Sequence, residues 1–300
     1  MARAGRAGAD LVAQDPAFEP LAQGSPADAY PVNDQASDTF QVGGVERSLP
    51  DALQLEQLVS YIEATYDRDA EQYLALLPDR ITHAAMLMLG SGIDQTMPGV
   101  AFPGDVRVEE SEFGQVFVPS SAAGSASGSA SGGVWAVSVW DGPRSARDNA
   151  WRPEVAGAAE LADVRILDLD DPARLGEAID FVRALGADKV AVWAYSSGAA
   201  ALASASGVSA GGGGAAGGAP RGADAYVLTF PTALPPTGGA PVLLQVATQD
   251  EVAPFLPEEL MMLSEATTIT VQRYHSTHHI ATPAESRRRI RDVADFLRAL

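Results

Sequence analysis

Three short segments of the chain hold side chains that could do nucleophilic chemistry together. The first is an apolar run, Val190-Ala191-Val192-Trp193-Ala194, which passes through Tyr195-Ser196-Ser197-Gly198 into a stretch of small residues. The second, Thr248-Gln249-Asp250-Glu251-Val252-Ala253-Pro254, follows another apolar run from Pro241 to Ala247. The third, Tyr274-His275-Ser276-Thr277-His278-His279-Ile280, holds three of the chain's 4 histidines. A serine hydroxyl is a poor nucleophile near neutral pH. It attacks when a base within hydrogen-bond reach takes its proton and a carboxylate orients that base. Each segment also has a plainer use. The serines suit a helix N-cap, Asp250 suits capping of the Glu251 to Leu263 segment, and His-x-x-His-His suits a metal site, although no carboxylate motif accompanies it. The absence of cysteine excludes a thiol nucleophile, disulfides and thiolate metal sites together.

In chain order these segments resemble the α/β-hydrolase superfamily, its serine esterases and lipases in particular. Ala194-Tyr195-Ser196-Ser197-Gly198 is similar to the family's G-x-S-x-G nucleophile elbow, with alanine in the first small position. That turn is so sharp that the residues two before and two after the nucleophile must be small. Ser196 has Ala194 and Gly198 there, whereas Ser197 has Tyr195 on one side, so Ser196 is the better nucleophile. The resemblance implies Asp250 as the triad acid, just past the family's seventh strand, and His278 as the base, in the loop before the last helix. His279 and Ile280 then occupy the slots that commonly follow, and the order Ser, Asp, His matches the family's.

The resemblance covers roughly Asp105 to Leu300 and departs after the third strand. Many members carry His-Gly or His-Gly-Gly there, and a backbone N–H of that stretch holds the oxyanion. This chain reads Val139-Trp140-Asp141-Gly142-Pro143. Pro143 has no N–H, so the first donor falls to Gly142 or Asp141, with the Ser197 N–H as the second. A carboxylate beside a developing oxyanion opposes it unless Asp141 points away or is paired, with Arg144 or Arg147 as the nearest cations in the sequence.

The elements that must position these residues are legible as alternating patterns. Val106 to Glu110 and Gln115 to Val118 read as an antiparallel pair of strands. Val134 to Trp140, Val164 to Leu169, Val190 to Ala194, Ala225 to Phe230, Val242 to Ala247 and Ile269 to Tyr274 are short apolar runs. Helical spacing separates some of them, as in Leu175, Ala178, Ile179, Val182 and Leu185. A last helix follows the cap Thr282-Pro283-Ala284-Glu285. This alternation predicts an α/β fold, a mostly parallel sheet with helices on both faces. Only residues 231–240 separate Phe230 from Pro241, where many relatives insert a lid, so a large cap is excluded there and short acyl groups are favoured.

Three regions follow from composition. Residues 1–45 lack periodicity and read as a disordered or loosely packed arm. Residues 46–104 read as a helical N-terminal extension, from a cap at Ser48 through Leu55, Leu58, Val59, Ile62 and Tyr66, then Tyr73, Leu74 and Leu77, then Ile81 to a stop at Gly90. Residues 105–300 read as the hydrolase domain. It is interrupted by two Ser/Ala/Gly stretches, Ser120 to Gly133 and Gly207 to Gly222, that read as surface loops.

The 39 acidic residues against 20 basic ones, a net charge of −19, argue against nucleic acid as a partner. No run approaches the ~18 apolar residues needed to span a bilayer, and the N-terminus has no apolar segment typical of a signal peptide. Lack of disulfides suits the cytoplasm. The expectation is a serine hydrolase acting on a small-molecule ester or related acyl compound, with no cofactor and with the oligomeric state left open. Two alternatives stand beside it: a weak or inactive hydrolase fold used for binding or regulation, and a peptidase or amidase with the same triad.

Overall fold

The computed structural model describes residues 41–42, 45–46, 50–66, 69–75, 106–123, 133–205 and 222–300. Eight strands form one sheet: β1 (Arg107–Glu110), β2 (Gly114–Val118), β3 (Gly133–Val139), β4 (Arg165–Leu169), β5 (Ala187–Tyr195), β6 (Ala225–Thr229), β7 (Val242–Ala247) and β8 (Ile269–Tyr274). Their order across the sheet is β1-β2-β4-β3-β5-β6-β7-β8. Only β2 runs against its neighbours; every pairing from β4 to β8 is parallel. A separate two-residue ribbon pairs Gln41–Val42 with Val45–Glu46.

The central strands read as unbroken apolar runs because both faces are covered. In β5, Val190, Val192 and Ala194 face one layer while Ala191, Trp193 and Tyr195 face the other. The first layer is closed by helices α4 (Leu175–Ala184), α5 (Gly198–Ala205) and α6 (Pro257–Glu265), through Ile179, Val182, Leu202 and Leu260. The second is closed by α3 (Arg152–Ala162) and α7 (Pro283–Arg298), through Val155, Ala159, Val293 and Leu297. The helices α1 (Asp51–Tyr66) and α2 (Ala70–Ala75) add Leu55, Leu58, Ile62, Tyr73 and Leu74 to that same second core. The α7 N-terminus has the capping geometry its sequence predicts, with Thr282 Oγ1 accepting from the Glu285 N–H at 3.3 Å.

Polar groups inside the second layer pair with one another and lock the strand register. The Trp193 indole donates to Thr229 Oγ1 at 2.9 Å, and Thr229 donates to Gln245 Oε1 at 2.6 Å. Gln245 Nε2 then donates to the Tyr274 hydroxyl at 2.9 Å, and Tyr274 donates to Asp292 at 2.6 Å. This row crosses β5, β6, β7, β8 and α7. A slip of one residue in any strand strands a buried polar group, at a cost of about 1–3 kcal/mol each.

Three features depart from the expectations. β5 begins at Ala187, not Val190, because the parallel partner β3 extends its pairing to Gly133. A continuous helical segment from Arg144 to Ala162 fills the β3–β4 connection: one turn at Arg144–Ala146, a π-helical turn at Arg147–Trp151, then α3. Pro153 follows the π-helical turn directly, within this continuous segment. The helix expected from Ser48 begins at Asp51, with the Gln54 N–H donating to the Pro50 carbonyl. The predicted turns over Ile81 to Gly90, and most of both Ser/Ala/Gly stretches, lie outside the described residues.

Candidate active site

The C-terminal end of β5 runs straight into α5 through Ser196, whose φ of +51° lies in the left-handed region. A non-glycine residue there is strained and must be held by its surroundings. Three residues hold it: the Ser196 N–H donates to the Thr229 carbonyl at 2.9 Å, and its own carbonyl accepts from the Ala199 N–H at 3.2 Å and the Thr232 N–H at 3.3 Å. Two residues on, Gly198 lies against the end of β3, where a Cβ would stand 2.3 Å from the Val139 carbonyl oxygen. Two residues before, Ala194 is fully buried. The small-residue condition on both sides of Ser196 therefore has a steric cause in this chain.

The loop after β8 carries His278, which is fully buried. Its Nε2 is 2.7 Å from Ser196 Oγ and its Nδ1 is 2.9 Å from both carboxylate oxygens of Asp250. A carboxylate at Nδ1 fixes the proton there, so Nε2 presents its lone pair to the serine hydroxyl. Burial pushes the Asp250 carboxyl up. The hydrogen bond and electrostatic attraction of the His278 ring, with the hydrogen bonds from the Ala253 and Val252 amides, outweigh that and hold it below its ordinary value. Asp250 stays ionised, as an orienting carboxylate must.

The capping use of Asp250 takes a different form from the one expected. Its Oδ1 accepts from the Val252 and Ala253 amides at 2.9 and 2.7 Å, closing the turn after β7. The helix itself starts only at Pro257, where Glu259 accepts from the Leu256 N–H.

The loop holding His278 is tied at several points. The Thr277 N–H donates to the Ile280 carbonyl at 2.9 Å, and the His278 N–H donates to Glu251 Oε2 at 3.0 Å. From the other side the Tyr195 hydroxyl donates to the His278 carbonyl at 2.9 Å. The Tyr195 hydroxyl oxygen also lies 3.0 Å from His279 Nδ1. Burial, and then the adjacent His278, push the His279 imidazole down to about 4. The His275 backbone amide donates to Glu285 at 3.1 Å, and its Nε2 is buried with no hydrogen-bond partner among the described residues. His278 and His279 share the Tyr195 hydroxyl and pack edge to face with ring centroids 4.6 Å apart, but among the described residues no group of three His, Asp or Glu side chains gathers as a metal set.

Beyond β3, Gly142 sits against the Trp140 ring, where a Cβ would stand 2.2 Å from the indole carbons, so only glycine fits. Among the described residues no protein group accepts from the Gly142 or Ser197 amide. The expected pairing of Asp141 with Arg144 or Arg147 is not what the structure has: the exposed Asp141 carboxylate accepts from the Ser197 hydroxyl. Arg144 approaches Asp148 at 3.7 Å, and Arg147 turns inward to Asp168 at 2.9 Å. The reason is Asp168. It lies on β4 with no exposure and takes Arg147, Arg152 (2.9 Å), Ser138 (2.6 Å) and the Trp151 indole (3.2 Å). A charge so deeply buried persists only when paired and hydrogen-bonded, and it claims the nearest cations.

Tyr195, Glu251 and the Asp168 cluster were not foreseen from sequence. Only Asp168 carries a signal there, as a lone acid inside the apolar run Arg165-Ile166-Leu167-Asp168-Leu169.

No family model and no curated protein matches this sequence. Solved structures do. An esterase from Pyrobaculum calidifontis is 13% identical, with a TM-score of 0.48 over 83% of this chain and 99% of its own. An esterase of the bacterial hormone-sensitive lipase family is 14% identical, with a TM-score of 0.47 over 84% of this chain and 99% of its own. A Xanthomonas campestris α/β serine hydrolase described as having no lid is 15% identical, with a TM-score of 0.39 over 66% of this chain and 94% of its own. No helix among the described residues is long and apolar enough to cross a membrane. The strand order, the single reversed strand and the strained strand-to-helix turn at Ser196 are those of the α/β-hydrolase fold, and that is the fold of this chain.

Proposed function

We propose that this protein is a serine hydrolase that cleaves a carboxylic ester or related acyl compound through an acyl-enzyme. The observation that carries the reading is the 2.7 Å contact of Ser196 Oγ with His278 Nε2, backed by Asp250 on Nδ1. His278 takes the serine proton as Oγ attacks the acyl carbon, then returns it to the leaving oxygen. Water repeats the sequence on the acyl-enzyme and releases the acid. Asp250 holds the imidazole in the working tautomer and balances the imidazolium. The free amides of Ser197 and Gly142 are the proposed donors to the tetrahedral oxyanion. The steps use no cofactor.

A fluorophosphonate probe tests this directly. Covalent labelling of the natural chain and none of Ser196→Ala is expected. A loss on the order of 10⁴-fold or more in ester hydrolysis should accompany that variant. Labelling that persists in Ser196→Ala and disappears in Ser197→Ala would move the nucleophile by one residue. A panel of p-nitrophenyl esters against aminoacyl amides separates esterase from peptidase or amidase. The Asp141 carboxylate beside the hole favours one second reading, a fold kept for binding with little turnover. A chain that neither labels nor hydrolyses any ester of the panel would establish that reading.

A further inference from the structure

His278 sits at the tip of a tight turn. The antiparallel pairing of Ser276 with Ala281 closes the neck of that turn. Above it the Thr277 N–H donates to the Ile280 carbonyl at 2.9 Å, and the Ile280 N–H donates to Thr277 Oγ1 at 3.0 Å. His278 and His279 are the two residues between those anchors. The turn's own hydrogen bonds thus end at Thr277 and Ile280, and among the described residues no backbone group bonds to the N–H or the carbonyl of His278.

Side chains take both. The Tyr195 hydroxyl donates to the His278 carbonyl at 2.9 Å, and Glu251 Oε2 accepts from the His278 N–H at 3.0 Å. Tyr195 directly precedes Ser196 in the chain, and Glu251 directly follows Asp250. Each strand end that brings a partner to the His278 ring, Ser196 to Nε2 at 2.7 Å and Asp250 to Nδ1 at 2.9 Å, therefore brings with its neighbouring residue a partner to the His278 backbone. Two closed circuits result, one leaving and re-entering the chain at Tyr195-Ser196, the other at Asp250-Glu251. Such a circuit sets the distance between imidazole and hydroxyl locally, without reliance on the longer path through the neck of the turn.

The two grips differ in stiffness. Tyr195 is only 4% exposed, and its ring lies against those of Trp140 and Trp151, at 5.0 and 5.2 Å between centroids. Its hydroxyl has little room to swing. Burial pushes the ionisation of that phenol far above its ordinary range, so it stays a donor at any working pH. Its single proton goes to the His278 carbonyl, and its oxygen is left to accept from His279 Nδ1–H at 3.0 Å. Both residues at the tip are held from this side. Glu251 is exposed and supplies its acceptor from the solvent side.

We infer that Tyr195 and Glu251 are positioning residues that hold His278 in register with Ser196 by gripping the carbonyl and the N–H of the base itself. The inference rests on the serine-hydrolase reading for its kinetic consequence, whereas the placement of the imidazole is measured without turnover.

Tyr195→Phe keeps the ring and removes the hydroxyl. Glu251→Ala removes the surface acceptor, and Glu251→Gln restores one without the charge. Misplacing a reacting group by about 1 Å can cost ~10²-fold. The loss of one grip is expected to lower kcat on a short-chain ester, and the rate of fluorophosphonate labelling, on the order of tenfold with KM little changed. Glu251→Gln should recover most of what Glu251→Ala loses. Either grip still steadies the turn when the other is gone, so the combined Tyr195→Phe and Glu251→Ala variant should fall by more than the product of the two singles. The Nδ1 proton that His278 shares with Asp250 is followed by proton NMR in Ser196→Ala as well as in the natural chain. It is expected as a low-field resonance that broadens by exchange with solvent when either grip is removed. Two bonds with a merely structural role would lower the melting temperature by a few degrees and leave kcat, labelling rate and resonance unchanged, and that result overturns the inference. Should Tyr195→Phe fail to fold, the exposed Glu251 and its two variants carry the test. A natural chain that neither labels nor hydrolyses removes the hydrolase reading. The resonance then decides alone: broadening in the variants supports the grip, and indifference overturns it. Brisk hydrolysis by every variant overturns the grip and leaves the hydrolase reading standing.

Discussion

Replacing Asp141 by asparagine removes one charge from the edge of the proposed oxyanion hole and leaves an amide oxygen that can still accept from the Ser197 hydroxyl. Among the described residues no cation pairs with the wild-type carboxylate: Arg147 is held by Asp168, and the exposed Arg144 approaches Asp148 at 3.7 Å. Two like charges about 5 Å apart repel by ~3 kcal/mol at an effective dielectric of 20 and by under ~1 kcal/mol in bulk water. Asp141 is exposed, which places the penalty near the lower figure, ~1 kcal/mol, or about five- to tenfold in rate. The repulsion grows as the oxyanion forms, so Asp141→Asn should raise kcat on a short-chain ester by that factor with KM little changed. Salt provides an independent check. Raising ionic strength screens an exposed charge and should speed the wild-type chain more than the variant. The opposing contribution is structural: the Ser197–Asp141 hydrogen bond joins the β3 loop to the start of α5 and contributes ~0.5–1.5 kcal/mol to holding the two amides together. Asparagine keeps most of it, whereas Asp141→Gly loses it. A fall in kcat for Asp141→Asn, with no difference in salt response, would refute the electrostatic argument and leave the carboxylate as a brace for the loop.

Other substitutions probe the frame around the site. Gly198→Ala places a Cβ 2.3 Å from the Val139 carbonyl, so α5 must shift; a stability loss of about 2 kcal/mol or more and slow fluorophosphonate labelling are expected, read by thermal melting and labelling rate. Asp168→Ala leaves Arg147 and Arg152 buried without their main counter-charge and should cost about 3–5 kcal/mol in urea unfolding. The His279 imidazole titrates near 4 in the folded chain against 6.5 when unfolded, so between those values the unfolded state binds more protons and stability falls as pH drops from 7 to 4, by at most ~3 kcal/mol. His279→Gln should flatten that slope, as measured by urea midpoints at pH 7 and pH 4.5.

Local chemistry made much of this architecture readable before any coordinates. Strands covered on both faces read as nearly continuous apolar runs, so β3, β6 and β7 stand out with ends that agree with the structure to within a residue. The turn at Ser196 is equally local, since steric crowding two residues away on either side is written into Ala194 and Gly198. His278 and Asp250 were singled out through a resemblance in chain order, and the structure brings both within hydrogen-bond distance of one another and, through His278, of Ser196.

What the sequence left hidden depends on partners far away in the chain. Arg147 and Arg152 look like solvated charges in a polar stretch, yet Asp168, 21 and 16 residues on, draws both into the interior. That one buried carboxylate orders the rest of the β3–β4 connection. It anchors the π-helical turn, fixes the Trp151 ring against Trp140 and Tyr195, at 6.3 and 5.2 Å between centroids, and takes from Asp141 the arginine that the sequence offered it. A charge inside an apolar strand is the local sign of such a demand, because burial without a partner costs several kcal/mol. The residue that meets it can be found only by knowing which loop crosses the end of that strand. The unneutralised carboxylate at the proposed oxyanion hole is thus a consequence of where Asp168 sits.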